Sequence, residues 1–207
     1  MSNNVSNFFH TGGAAFLGLV ISMASVALLY IICCLSTKAR PIIYTAALFT
    51  KVSPAIAYVP VFIIFFGVGL IPKVLTASLI SFFPLVLQTL ERRDDMPTRL
   101  RQVGAVYAAP RWRSEFVLGI GYGLSGFSRG LLTSAPLAVV GAIVGDYVAG
   151  GTRPGGIGAY LMQASAQSNT TAIMVGVLLA STLGLVFFLS AYGIDRWVQK
   201  LLRLDMA

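Results

Sequence analysis

Residues 91–116 read ERRDDMPTRLRQVGAVYAAPRWRSEF, an island of charge between two apolar stretches. Glu91, Arg92, Arg93, Asp94, Asp95, Arg99, Arg101, Arg111, Arg113 and Glu115 fall inside it, in a chain with only 15 basic and 7 acidic residues in all. A basic loop of this size between two membrane spans belongs in the cytoplasm, because Lys and Arg near span ends set orientation. The island therefore orients the whole chain.

Outward from the island, composition fixes the class. The chain has 207 residues, 57% hydrophobic and 11% charged, where a soluble domain carries about 25% charged residues. Several apolar runs reach the ~20 residues that a helix needs to cross about 30 Å of hydrocarbon. An all-α integral membrane protein follows, with residues 1–207 as a single transmembrane domain. The net charge of +8 then reflects basic cytoplasmic loops, and no solvated basic face is available to bind nucleic acid. Membrane lipid is the expected surrounding.

Five spans are predicted, at 12–35, 55–71, 74–90, 130–148 and 171–194, with 1–11 polar and mobile. The first run is too long for a signal-peptide core and is expected to be retained as a span. Residues 41–54, with Lys51, are read as a helix that starts at the cytoplasmic surface and continues into the second span. Gly67, Gly69 and Pro72 mark a tight turn, and Pro84 is a kink site in the third span. With the island inside, Lys38, Arg40, Lys51, six island arginines, Arg196, Lys200 and Arg203 are cytoplasmic; only Lys73 and Arg153 lie outside. Five spans then put the N-terminus outside and the C-terminus inside.

Little in the chain supports catalysis, and an enzyme is not expected. His10 is the single histidine, so nucleophile–histidine pairs and His-based metal sites lack material. Cys33 and Cys34 are adjacent and read as small packing residues. Gly121, Gly123 and Gly126 match G-x-G-x-x-G, but a dinucleotide site needs a preceding strand; close helix packing is the better reading. No G-x-x-x-x-G-K-[ST] occurs, so the chain has no phosphate loop of its own. Asp146, near the outer end of a span, either lines a solute path or bonds nearby backbone or Arg153. Arg129 reads as a snorkelling or internally paired residue before a solute contact. Gln163, Gln167 and Asn169 belong to a solvated loop or an outer vestibule.

The island is either a topogenic loop or a docking segment. Leu100, Val103, Val106 and Tyr107 recur at helical spacing with arginines beside them, a face suited to a groove in another protein.

Together these pieces resemble the permease subunit of a binding-protein-dependent ABC importer, nearest to its sulfonate, nitrate, taurine and pyrimidine-precursor branch. SPAIAYVPVFIIFFGVGLIPKVLTASLISFFPLVLQT (53–89) is similar to the branch's proline-rich core spans. GLLTSAPLAVVGAIVGDYVAGGTRPGGIGAYL (130–161) is similar to the next one, in which an acidic residue precedes Gly-x-Gly, here Asp146, Gly156 and Gly158. LMQASAQSNTTAIMVGVLLAS most resembles permeases for thiamine-pyrimidine precursors and riboflavin.

The resemblance implies a type I importer permease core in the bacterial inner membrane. It implies a second permease chain, an extracytoplasmic binding protein, and separate ATPase subunits that hold ATP and Mg, with no cofactor in this chain. It places the ATPase-coupling motif at Arg99, Leu100, Gln102, Val103, Gly104, Tyr107, Ala108, Arg111 and Trp112. Gln102-Val103-Gly104 replace E-A-A and Ala108 replaces glycine, whereas Arg111-Trp112 keep the family's R-W. Gly121 and Ser125 stand at its prolines, and Leu132 at its arginine. It places Asp146, Gly156, Gly158 and Gln163 along the pathway. The competing reading is a non-transporting scaffold or a degenerate partner subunit.

Overall fold

The structure, a computed structural model, describes residues 2–36, 39–52, 55–95, 97, 111–149 and 155–202, the side chains of 2–4, 50–52 and 111–118 excepted. It is all-helical among these residues. Helix α1 spans Ser2–Leu35, α2 Ala39–Val52, α3 Tyr58–Phe66 after a 3₁₀ turn at Ala55–Ala57, and α4 Leu70–Asp94. Helix α5 spans Arg111–Val148, α6 Ile157–Ala166 and α7 Thr170–Leu202.

Four stretches are long and apolar enough to cross a membrane: Val5–Leu35, Leu70–Asp94, Gly119–Val148 and Thr170–Leu202. They correspond to the spans predicted at 12–35, 74–90, 130–148 and 171–194, each longer than expected. The segment expected to be mobile, 1–11, differs most: from Ser2 onward it continues α1, and Thr11 is buried.

The span predicted at 55–71 is instead a short apolar helix, Ala55–Phe66, about 18 Å long at 1.5 Å per residue. It stops at Gly67, whose φ of 73° suits only a residue without Cβ. Side-chain contacts still require a crossing here. At one end of the bundle Arg93 of α4 lies over the Tyr30 ring of α1, and Arg40 at the start of α2 pairs with Asp94. At the other end Lys73 of α4 meets Asp146 of α5. The chain therefore returns from the Arg93 end to the Asp146 end between Leu35 and Leu70, and α2 with α3 makes that passage as a broken helix.

Helix α4 is the axis. Its Ala77 is fully buried, with α1 on one side at Gly18 and α5 on the other at Gly141. A Cβ on Gly18 would lie 2.5 Å from the Ala77 side chain, and one on Gly141 2.6 Å from the Ala77 backbone. Without a hydrophobic drive between helices in lipid, such small-residue seams hold them by close van der Waals contact. The G-x-G-x-x-G triplet serves the same end at two of its positions. A Cβ on Gly123 would meet the Tyr30 ring at 2.3 Å, and one on Gly126 the Gln88 carbonyl at 2.5 Å, whereas Gly121 has open space.

Candidate functional site

At the Asp146 end, three separate parts of the chain are tied together inside the bundle. Asp146 is 1% exposed. Its Oδ1 lies 2.5 Å from Lys73 Nζ, a charge contact rather than an aligned hydrogen bond. Its Oδ2 accepts from the backbone N–H of Gly156 at 2.7 Å and of Ala159 at 3.1 Å. The carboxylate thus caps the first turn of α6, where free N–H groups and the helix dipole favour a negative charge. Thr11 of α1 completes the knot, its Oγ1 accepting from Ile157 N at 2.8 Å.

The Gly-x-Gly is explained by the same contacts. A Cβ on Gly156 would sit 2.3 Å from Thr11 Oγ1 and 2.5 Å from Asp146 Oδ2; one on Gly158 would sit 2.1 Å from the Ile143 carbonyl. Of the residues expected along the pathway, Asp146, Gly156 and Gly158 are brought together here with no open surface on this chain. Gln163 is separate, exposed on α6. Arg153, the other suggested partner of Asp146, lies outside the described residues. Lys73 was read from sequence only as an outer-surface charge, since nothing local couples it to Asp146.

At the opposite end Arg93 is buried, its guanidinium 5.7 Å from the Tyr30 ring centroid. Tyr30 donates through its hydroxyl to the Gly119 carbonyl of α5 at 2.6 Å. Helices α1, α4 and α5 thus converge beside the ends of the charged island. Helix α7 joins α5 through a polar seam. Ser128 Oγ donates to Asp195 Oδ1 at 2.7 Å, and Gln199 Nε2 donates to Ser125 Oγ at 3.0 Å. Sequence reasoning named Ser125 only as standing at a family proline and passed over Ser128, Asp195 and Gln199, because no local pattern pairs polar residues on two distant helices.

Arg99, Leu100, Gln102, Val103, Gly104, Tyr107 and Ala108 lie outside the described residues. Arg111 and Trp112 belong by backbone to the first turn of α5, and their side chains lie outside the description. Among the described residues no cluster of three or more His, Cys, Asp or Glu is placed to hold a metal.

Comparison with known proteins fits this architecture. The chain is 30% identical over 147 residues to the riboflavin transport system permease protein RibX of Chloroflexus aurantiacus, a match covering 71% of this chain and 54% of that protein. It is 24% identical over 172 residues to the formylaminopyrimidine transport permease protein ThiX of Halalkalibacterium halodurans, covering 83% and 68%. The match thus spans about half the length of the riboflavin permease. Among solved structures, a chain of the MetNI methionine ABC transporter in inward-facing conformations superposes with a TM-score of 0.68 at 17% identity, over 93% of both chains; the likeness is one of fold, the type I importer permease core. Residues 31–204 match one family over most of the chain, and the protein belongs to it: the binding-protein-dependent transport system inner membrane components.

Proposed function

We propose that this chain is the permease subunit of an ABC importer, enclosing a translocation pathway with a second permease chain. Separate ATPase subunits bind ATP and Mg and drive it from the cytoplasm, and an extracytoplasmic binding protein delivers the solute. The observation that carries the reading is the family match over residues 31–204, borne by a bundle with no phosphate loop in its sequence. The Arg93 end faces the cytoplasm in this reading, so the N-terminus is outside, the C-terminus inside, and the membrane is the bacterial inner membrane. The relatives named for riboflavin and formylaminopyrimidine transport support a small heterocyclic solute, with sulfonate or nitrate-like anions the other branch substrates.

Extraction in mild detergent tests the assembly. The expected product is a complex several times the 22.0 kDa of this chain, containing ATPase subunits, whose ATP hydrolysis rises with loaded binding protein. A complex that assembles but moves no solute in proteoliposomes would favour the scaffold reading.

A further inference from the structure

Resting on that reading, we propose that Arg129, Thr133 and Gln88 form a solute-contacting station on a water-filled face of α5. The station takes a flat heterocycle that presents acceptor oxygens or ring nitrogens.

The outward faces of the other helices are the background. Phe16, Leu17, Val20 and Leu28 of α1 are exposed and apolar, as are Met174, Leu178, Leu185 and Leu189 of α7. These faces suit lipid. The exposed stripe of α5 is different. Tyr122, Arg129, Thr133, Pro136, Val140 and Tyr147 follow one another at spacings of three, four and seven, so they share a face. Arg129 and Thr133 are exposed, as are Val140 and Tyr147. One flank of the stripe is closed by α4, against which Gly130 and Gly141 pack. The other is closed by α7 through Ser125 and Ser128. The stripe is the floor of a valley between two helices.

Arg129 stands about 25 Å along α5 from Asp146 at 1.5 Å per residue. It is level with Leu85–Gln88 of α4, since Gly126 packs on Gln88 and Gly130 on Leu85. That is inside the apolar stretch Gly119–Val148. Its guanidinium meets no acceptor among the described residues, although five donors there need partners. One turn on, Thr133 Oγ1 accepts from Gln88 Nε2 at 2.6 Å and donates to the Gly130 carbonyl at 3.1 Å, which fixes the Gln88 amide beside the valley. A fork of donors and an oriented amide one helical turn apart match a planar ring with acceptor edges.

The test uses the assembled transporter with Cys33 and Cys34 replaced by serine. In inside-out vesicles, Thr133→Cys and Val140→Cys should react with a charged methanethiosulfonate, while Leu28→Cys and Met174→Cys stay unreactive. Riboflavin should protect Thr133→Cys, and taurine should not. Arg129→Ala should lower riboflavin uptake by about tenfold or more, the scale of a lost charge-assisted hydrogen bond. The Arg129→Ala complex should assemble with its ATPase subunits in wild-type yield, and Arg129→Lys should recover part of the uptake. The proposal is overturned if Thr133→Cys is as unreactive as Leu28→Cys, which would mean a lipid-facing stripe. Wild-type uptake by Arg129→Ala, or protection by taurine alone, overturns it equally. A wild-type complex that moves none of these solutes removes the transport reading instead, and the labelling contrast still decides whether this face is wet.

Discussion

Asp146 is where one side chain holds the most structure. Its carboxylate faces a buried cation and accepts from two N–H groups of a ten-residue helix, so its removal takes the counter-charge from Lys73 and the acceptor from both N–H groups. Breaking a buried pair by deleting one partner costs about 3–5 kcal/mol, and Asp146→Ala is expected to destabilise the folded chain by that order in detergent unfolding. Asp146→Asn keeps an acceptor for the α6 N–H groups but not the charge facing Lys73, and should fall between. The glycines give an internal contrast. Gly158→Ala forces a Cβ to 2.1 Å from the Ile143 carbonyl, whereas Gly121→Ala meets nothing within 4 Å. The first should lower the melting temperature; the second should hold or raise it, because Ala gains up to about 1 kcal/mol over Gly within a helix. That an acid preceding Gly-x-Gly matters was legible in the sequence. Its partner was not, because Lys73 is brought to it by the antiparallel packing of α4 and α5, and no local pattern encodes that pairing.

Helices show a similar division between what hydropathy carries and what packing decides. The long spans were readable because length and apolar content alone determine whether a helix can cross hydrocarbon. Their ends were not, since polar residues such as Thr11 continue a helix when tertiary partners bury them. The crossing between Leu35 and Leu70 was expected as a helix over 41–54 running into a span at 55–71; α2 lies where the first was expected, but α3 stops at Gly67, and hydropathy does not show where an apolar helix breaks. What holds α1 to α4 and α5 is better localised. Tyr30 bonds the Gly119 carbonyl, lies under Arg93 and fills the space in front of Gly123. Tyr30→Phe removes one hydrogen bond and should cost about 1 kcal/mol. Tyr30→Ala also deepens the apolar crevice of about 240 Å³ that Tyr30 lines with Ala27, Thr89 and Phe127, and should cost about 3–5 kcal/mol by the usual aromatic-to-alanine scale. Chemical unfolding of both variants in one detergent checks the order.

For the molecule as a whole, the contacts define two opposite ends, one at Asp146 and one at Arg93, with α1, α4 and α7 running from the first to the second and α5 returning. The basic residues concentrate toward the second, so thiol reagents applied to intact cells should leave Asp95→Cys unlabelled, and labelling it from outside would reverse the topology. The charged island runs from the last turn of α4, which holds Arg93, to the first turns of α5, and in the proposed importer it faces the cytoplasm. In the proposed importer, closure of the ATPase pair has to reach the membrane through whatever docks between its subunits, and 91–116 is the longest cytoplasmic segment of this sequence. In that proposal Leu100, Val103 and Tyr107 would supply the buried apolar contact for an ATPase groove, and Arg99, Arg101 and Arg111 would steer acidic groups at its rim. A central aromatic anchor typically contributes about 2 kcal/mol or more to such a contact, a rim charge less. Tyr107→Ala should therefore suppress both uptake and binding-protein-stimulated ATP hydrolysis more than Arg99→Ala does, while the binding protein still docks outside. If Tyr107→Ala and Val103→Asp leave stimulation and uptake at wild-type levels, the island acts only as a topological signal, and coupling must run through another part of the chain.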